Sequence, residues 1–200
     1  MVETFLSSYY GCCKTDGWVV SFQKVSKDKS EYMSNSLRNV ISFDKVAERH
    51  NKIHRYCERL ASNDALYVTE QGDCYFIEFK NGALTHSRND QRRDEYKEEN
   101  LKSKVYCSLA MALDLKLSDS FDSFKDKFRY ILVYNKDRLG SSSNTVIEDD
   151  LQVLSKANLQ LPIVKEFEWI FKEAISYTKE EFEREFIQKI VEPEYLSAEL

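Results

Sequence analysis

The segment Asp64-Ala65-Leu66-Tyr67-Val68-Thr69-Glu70-Gln71-Gly72-Asp73-Cys74-Tyr75-Phe76-Ile77-Glu78-Phe79-Lys80 decides how this chain is read. Two short extended runs, Asp64–Thr69 and Asp73–Lys80, flank Glu70-Gln71-Gly72, a connection with Gly last. Such a loop commonly closes a β-hairpin, because Gly takes the left-handed position and forms a bulge. The register it sets pairs Thr69 with Asp73, Val68 with Cys74, Leu66 with Phe76, and Asp64 with Glu78. Side chains alternate along a strand, so Tyr75, Ile77 and Phe79 take one face. Glu78 and Lys80 share the other face with Cys74 and Phe76. Residues directly opposite have Cβ atoms about 4.5–5.5 Å apart, and facing carboxylates destabilise a sheet unless a cation bridges them. The plainer account is that the strand ends here and both side chains reach water. The opposed Asp64 favours chemistry over that account.

Mg²⁺ prefers oxygen ligands, keeps several waters, and often binds through one or two carboxylates plus substrate phosphates. Asp64 and Glu78 supply those carboxylates. A metal-bound water loses a proton more readily and attacks phosphorus, while the ion stabilises developing oxyanion charge. Lys80, one step further on the same face, is placed to orient that water or to neutralise the transition state.

These residues resemble the motif of the PD-(D/E)xK nuclease superfamily, which includes many restriction enzymes, junction resolvases and repair nucleases. The likeness rests on Asn63-Asp64, thirteen intervening residues, then Glu78-Phe79-Lys80 within IEFKNG, with a long helix after the hairpin. It spans roughly residues 43–135. It implies a divalent-metal phosphodiesterase with Asp64 and Glu78 as ligands and Lys80 as catalytic lysine. Asn63 stands where the motif has proline, a position that contributes no catalytic group. The superfamily often adds a glutamate from the helix before the hairpin. Glu48 points away from that helix's apolar stripe and Glu58 sits at its edge, so Glu58 is the candidate, against a simply solvated side chain.

Outward from the hairpin, Ser42 is a plausible N-cap, and Phe43, Val46, Ile53, Cys57 and Leu60 recur at helical spacing up to about Ala61. Upstream, Trp18–Val25 reads as a strand. Downstream, a polar loop over Asn81–Arg93 leads to a helix from about Asp94 to Leu115, with a stripe of Leu101, Val105, Leu109, Ala112 and Leu115. Phe128–Asn135 is the apolar run of a buried central strand. Ser141–Asn144 reads as a loop, Val146–Ala157 as a helix, and Glu166–Tyr177 as a strand. Thr178 with Glu181 forms a capping box for a last helix that ends before Pro193. The expectation is a single α/β domain over residues 1–200, with a core at about 43–135 and the strand and helix of 166–191 packed on it. The architecture expected is a three-layer, restriction-endonuclease-like fold with a mixed sheet flanked by helices.

Lys104 projects close to the apolar stripe of its helix, where lysine is rare unless paired or snorkelling. In the nuclease reading Lys104, with Lys97, reaches the substrate phosphate or a catalytic carboxylate. His86, Arg88, Arg92 and Arg93 form a small basic cluster after Lys80, either a phosphate contact or an ordinary solvated loop diluted by Asp90, Asp94 and Glu95. His50 and His54 lie four apart on one helix. That spacing can bind zinc, but His50 sits near the stripe's centre and reads better as a packed, hydrogen-bonded core residue, with His54 toward the catalytic edge. Cys12, Cys13, Cys57, Cys74 and Cys107 include no CxxC pair, which argues against a disulfide framework and a structural zinc site. The adjacent Cys12 and Cys13 leave a redox role open.

Net charge is −5 with 32% charged residues, so any nucleic-acid surface must be local. No apolar run reaches membrane-spanning length and no secretory leader is legible. A cytoplasmic, metal-dependent endonuclease is expected, using Mg²⁺ or Mn²⁺ and acting on DNA ahead of RNA. The resemblance leaves a homodimer open, since many such nucleases act as dimers. The competing class is a non-catalytic interaction or regulatory protein on the same fold.

Overall fold

The computed structural model describes residues 17–28, 31–55, 60–82, 91–138 and 161–193, the side chains of 91–98 excepted. The hairpin lies at the centre. Strand β5 (Ala65–Val68) pairs antiparallel with β6 (Cys74–Lys80), matching Val68 with Cys74 and Leu66 with Phe76 as the loop chemistry requires. Gly72 carries φ +90°, and its N–H donates to the Thr69 carbonyl at 3.1 Å. Thr69 also receives the Asp73 N–H on Oγ1 at 3.1 Å, so the turn is closed from both sides.

Strands β1 (Val19–Ser21) and β4 (Asn39–Ser42) extend the sheet beyond β5, while β7 (Phe128–Tyr134) and β8 (Glu173–Thr178) extend it beyond β6. The order is β1-β4-β5-β6-β7-β8. Pairings up to β6 are antiparallel, and β6/β7 and β7/β8 are parallel. A parallel step needs a long crossover. Helix α3 (Gln91–Asp114) and α4 (Phe121–Lys127) occupy the first one.

Alternation along the strands builds two apolar layers. On one face Leu66, Cys74, Phe76, Tyr130 and Leu132 pack under Phe43, Val46 and Ala47 of α2 (Phe43–His54) and under Leu101, Val105 and Ala112 of α3. On the other face Tyr75, Ile77, Ile131 and Val133 pack against Phe22 and the C-terminal helical segment through Phe182, Phe186 and Ile187. The result is a mixed six-stranded sheet flanked by helices. Among the described residues, no helix is long and apolar enough to cross a membrane.

Three expected elements differ. Trp18–Val25 is a strand only to Ser21, whose Oγ accepts the Lys24 N–H and caps the short helix α1 (Phe22–Val25). A small hairpin, β2 (Lys27–Asp28) and β3 (Glu31–Tyr32), follows. Helix α2 stops at His54, because Arg55 turns left-handed at φ +53°, which leaves Ile53 exposed. Within 166–177 only Glu173 onward is strand. Phe167, Ile170 and Phe171 form turns after α5 (Pro162–Lys165), where local bonds such as Ile170 N–H to the Phe167 carbonyl replace a ladder. The capping box forms as expected: Thr178 and Glu181 exchange side-chain and backbone bonds at the start of α6 (Lys179–Glu181), continued by a π-helix over Phe182–Val191. The expected loop 141–144 and helix 146–157 lie outside the described residues.

Candidate active site

The site forms where the β5–β6 hairpin meets the start of α2 and the middle of α3. Asp64 is the residue just before β5, and its main chain is held by the Phe43 N–H, which donates to the Asp64 carbonyl at 3.0 Å. One side-chain oxygen is committed to the sheet: Oδ2 accepts the Phe79 N–H at 2.7 Å. The other, Oδ1, turns toward α3. Glu78 lies opposite on β6 with its side chain only 1% exposed.

Lys104 bridges the two carboxylates. Its Nζ donates to Asp64 Oδ1 at 3.1 Å and to Glu78 Oε1 and Oε2 at 2.8 and 2.9 Å. Lys80 reaches the same group from the strand end, with Nζ 3.5 Å from Glu78 Oε1. These four side chains therefore form one cluster of ionisable groups lining an open cleft of about 470 Å³. Lys27 and Asp28 of β2, with Asp44 and Asn81, also line that cleft.

Electrostatics follow from burial. Burial raises Asp64 above the usual aspartate range, against the pull of Lys104 and the Phe79 N–H. Burial, and then the neighbouring Asp64 charge, push Glu78 up to about 8, against Lys104 and Lys80. Burial alone would lower the Lys104 ammonium, but Glu78 and Asp64 outweigh it and hold it above the ordinary lysine range. Two carboxylates that burial keeps reluctant to ionise even with Lys104 between them gain from a more highly charged cation. The donor set is all oxygen, one Asp64 oxygen is already fixed by the sheet, and the cleft is open to water and substrate. Those features fit a hard ion such as Mg²⁺ or Mn²⁺.

Residue by residue, Asp64, Glu78, Lys80 and Lys104 come together. Glu58 falls outside the described residues, as do His86, Arg88, Cys12, Cys13 and Cys57, and nothing is described of the Arg92, Arg93 and Lys97 side chains. Glu48 is on the surface, paired with Lys52. His54 does not face the cleft. It lies beside His50 at the far end of α2, 3.5 Å from Asp114. The buried Asn63 N–H donates to Ser108 Oγ of α3 at 2.9 Å, a bond that a proline at this position could not make.

Sequence reasoning missed Asp44, Lys27 and Asp28. Asp44 sits in the first turn of α2, where an acid is ordinarily explained by the helix dipole. Here it also accepts from Ser62 Oγ at 2.5 Å and faces the cleft. The signal was its position just after the Ser42 N-cap, at the helix start whose Phe43 N–H bonds the Asp64 carbonyl, although the two acids are twenty residues apart in sequence. Comparison with known proteins returns no match to a family model, to a curated protein or to a solved structure.

Proposed function

We propose that this protein is a Mg²⁺- or Mn²⁺-dependent endonuclease of the PD-(D/E)xK type, with a restriction-endonuclease-like core, cutting DNA in preference to RNA. The observation that carries the reading is that Asp64, Glu78 and Lys80, chosen by spacing, share one open cleft and already hold a single cation, the Lys104 ammonium, between their carboxylates. A buried acid opposed by a partly buried one is costly to a sheet and useful to phosphoryl chemistry.

Asp64 Oδ1 and the Glu78 carboxylate would hold the ion, which would supply an acidified water and charge neutralisation at the phosphate. Asp64 is kept in place by its Oδ2 bond to the Phe79 N–H, so Oδ1, which Lys104 contacts, is aimed without loss of side-chain freedom at the moment of binding. Lys80, a third exposed at the strand end, orients the attacking water and offsets charge on the phosphate oxygens. Lys104 exchanges its carboxylate contacts for the substrate phosphate. Lys27, which also lines the cleft, contacts the nucleic-acid backbone.

The test is cleavage of single- and double-stranded DNA and RNA with Mg²⁺ or Mn²⁺, comparing wild type with Asp64→Asn, Glu78→Gln and Lys80→Ala. Metal-dependent cutting should fall by roughly 100-fold or more in each variant while each keeps its fold. Cutting that survives Glu78→Gln would sink the assignment. The second reading is a non-catalytic binding protein, favoured by the net charge of −5. Nucleic-acid or protein binding without any cleavage, unchanged by these substitutions, would select it.

A further inference from the structure

We infer a second metal site, for a zinc-like transition-metal ion, formed by His50 and His54 of α2 and Asp114 of α3. His50 Nε2 lies 2.8 Å from Asp114 Oδ2, and His54 Nε2 lies 3.5 Å from the same oxygen. The two rings stand 4.3 Å apart between centroids, tilted by 31°. The three ligand atoms all lie within 4.8 Å of one another. Ligands on a tetrahedral ion with metal–nitrogen bonds of 2.0–2.1 Å are about 3.3 Å apart, a value that the two contacts bracket. Small shifts of half-exposed side chains therefore seat an ion between them.

The surroundings call for a cation as well. Helices α2 and α3 both end here, at His54 and Asp114, and helix C-termini carry partial negative charge, which Lys52 meets at the end of α2 but no basic residue meets at the end of α3. Asp114 adds a formal negative charge at the end of α3. That placement opposes the helix dipole, and a bound dication reverses the sign of the effect. His50 is 2% exposed, whereas the His54 and Asp114 side chains are 32% and 48% exposed, so solvent reaches the ion and supplies its remaining ligand.

The donor chemistry separates this site from the acidic one. Two imidazoles and one carboxylate suit zinc and its neighbours, while the Asp64–Glu78 pair offers oxygen alone. Asp114 lies ten residues beyond Lys104 on α3, about 15 Å along the helix axis. The ion pins the end of α2 to the end of α3, the two helices that carry Asp44 and Lys104 to the cleft. Its role is to hold the frame of the site.

Titration of metal-stripped, full-length protein with Co²⁺, followed by visible absorption, tests the inference. One equivalent should bind with the strong absorption of tetrahedral cobalt, and Zn²⁺ should displace it. His54→Ala and Asp114→Asn, both at partly exposed positions, should each weaken binding by about 100-fold while circular dichroism stays unchanged. The double variant Asp64→Asn/Glu78→Gln should keep the absorption. Octahedral-type weak absorption, equal affinity in His54→Ala and Asp114→Asn, or loss of the signal in the Asp64/Glu78 double variant would each overturn the proposal.

Discussion

Glu78 shows how a single buried acid sets the behaviour of the cleft. The folded protein keeps a proton on Glu78 that the unfolded chain releases near the ordinary glutamate value of 4.5, and it lets go only at about 8. Because the folded state binds more protons in that interval, stability falls as pH rises through it. The stabilisation is complete below about 4.5 and gone above about 8, and Asp64, also raised, works in the same direction. Urea midpoints of metal-free protein should therefore decline between those limits, and Glu78→Gln should flatten the slope. On the proposed function protons and Mg²⁺ would compete for the same oxygens, so Mg²⁺ affinity should rise through the same window. Lys104 is the counterpart. Replacing it by Met removes the cation beside Asp64 and Glu78, should hold the Glu78 proton to still higher pH, and should cost stability mainly above about 8, by roughly 3 kcal/mol without divalent ions. Added Mg²⁺ should restore much of that loss in Lys104→Met, measured as a shift of the thermal midpoint. A variant as stable as wild type in EDTA would show that Lys104 carries no such load.

At the scale of elements, α3 is fastened to the hairpin by more than the Lys104 bridge. The Asn63 N–H and Ser108 Oγ are both fully buried, and their bond fixes the backbone directly before Asp64. Ser108→Ala would leave that donor unpaired, at a cost of about 1–3 kcal/mol. Asp64 would then be free to drift, so cleavage should fall further than stability alone predicts when both are measured below the melting range. The hairpin register followed from Glu70-Gln71-Gly72, because a left-handed glycine leaves few ways to pair the strands. The helix ends did not follow. Ile53 continues the apolar period of α2, yet Arg55 turns left-handed and the helix stops, an outcome of tertiary packing that periodicity cannot register. The error in 166–177 has the same origin, since Phe167, Ile170 and Phe171 are apolar enough for a strand but are buried through turns.

For the molecule as a whole, one sheet serves both apolar layers. Phe76 and Ile77 are neighbours in β6 but belong to opposite cores, so neither layer can come apart without breaking the ladder that supports the other. Unfolding in urea should therefore be a single transition. The two tryptophans report on it from different depths, Trp18 at 5% and Trp169 at 56% exposure. Their fluorescence should move together with the far-ultraviolet dichroism, and separate midpoints would show that part of the chain unfolds independently.

The sequence by itself determined the hairpin, its register and the face shared by Asp64, Glu78 and Lys80, because turn chemistry and strand alternation act over a few residues. It also singled out Lys104, since a lysine beside an apolar stripe needs a partner. Which partner it takes was decided by the tertiary structure, for the bond joins residues forty apart in the chain. So were the entry of Asp44 and Lys27 into the cleft and the meeting of His50 and His54 with Asp114. Each of these contacts depends on how a helix or strand docks on the sheet, and docking is set by the summed packing of both cores rather than by any local pattern.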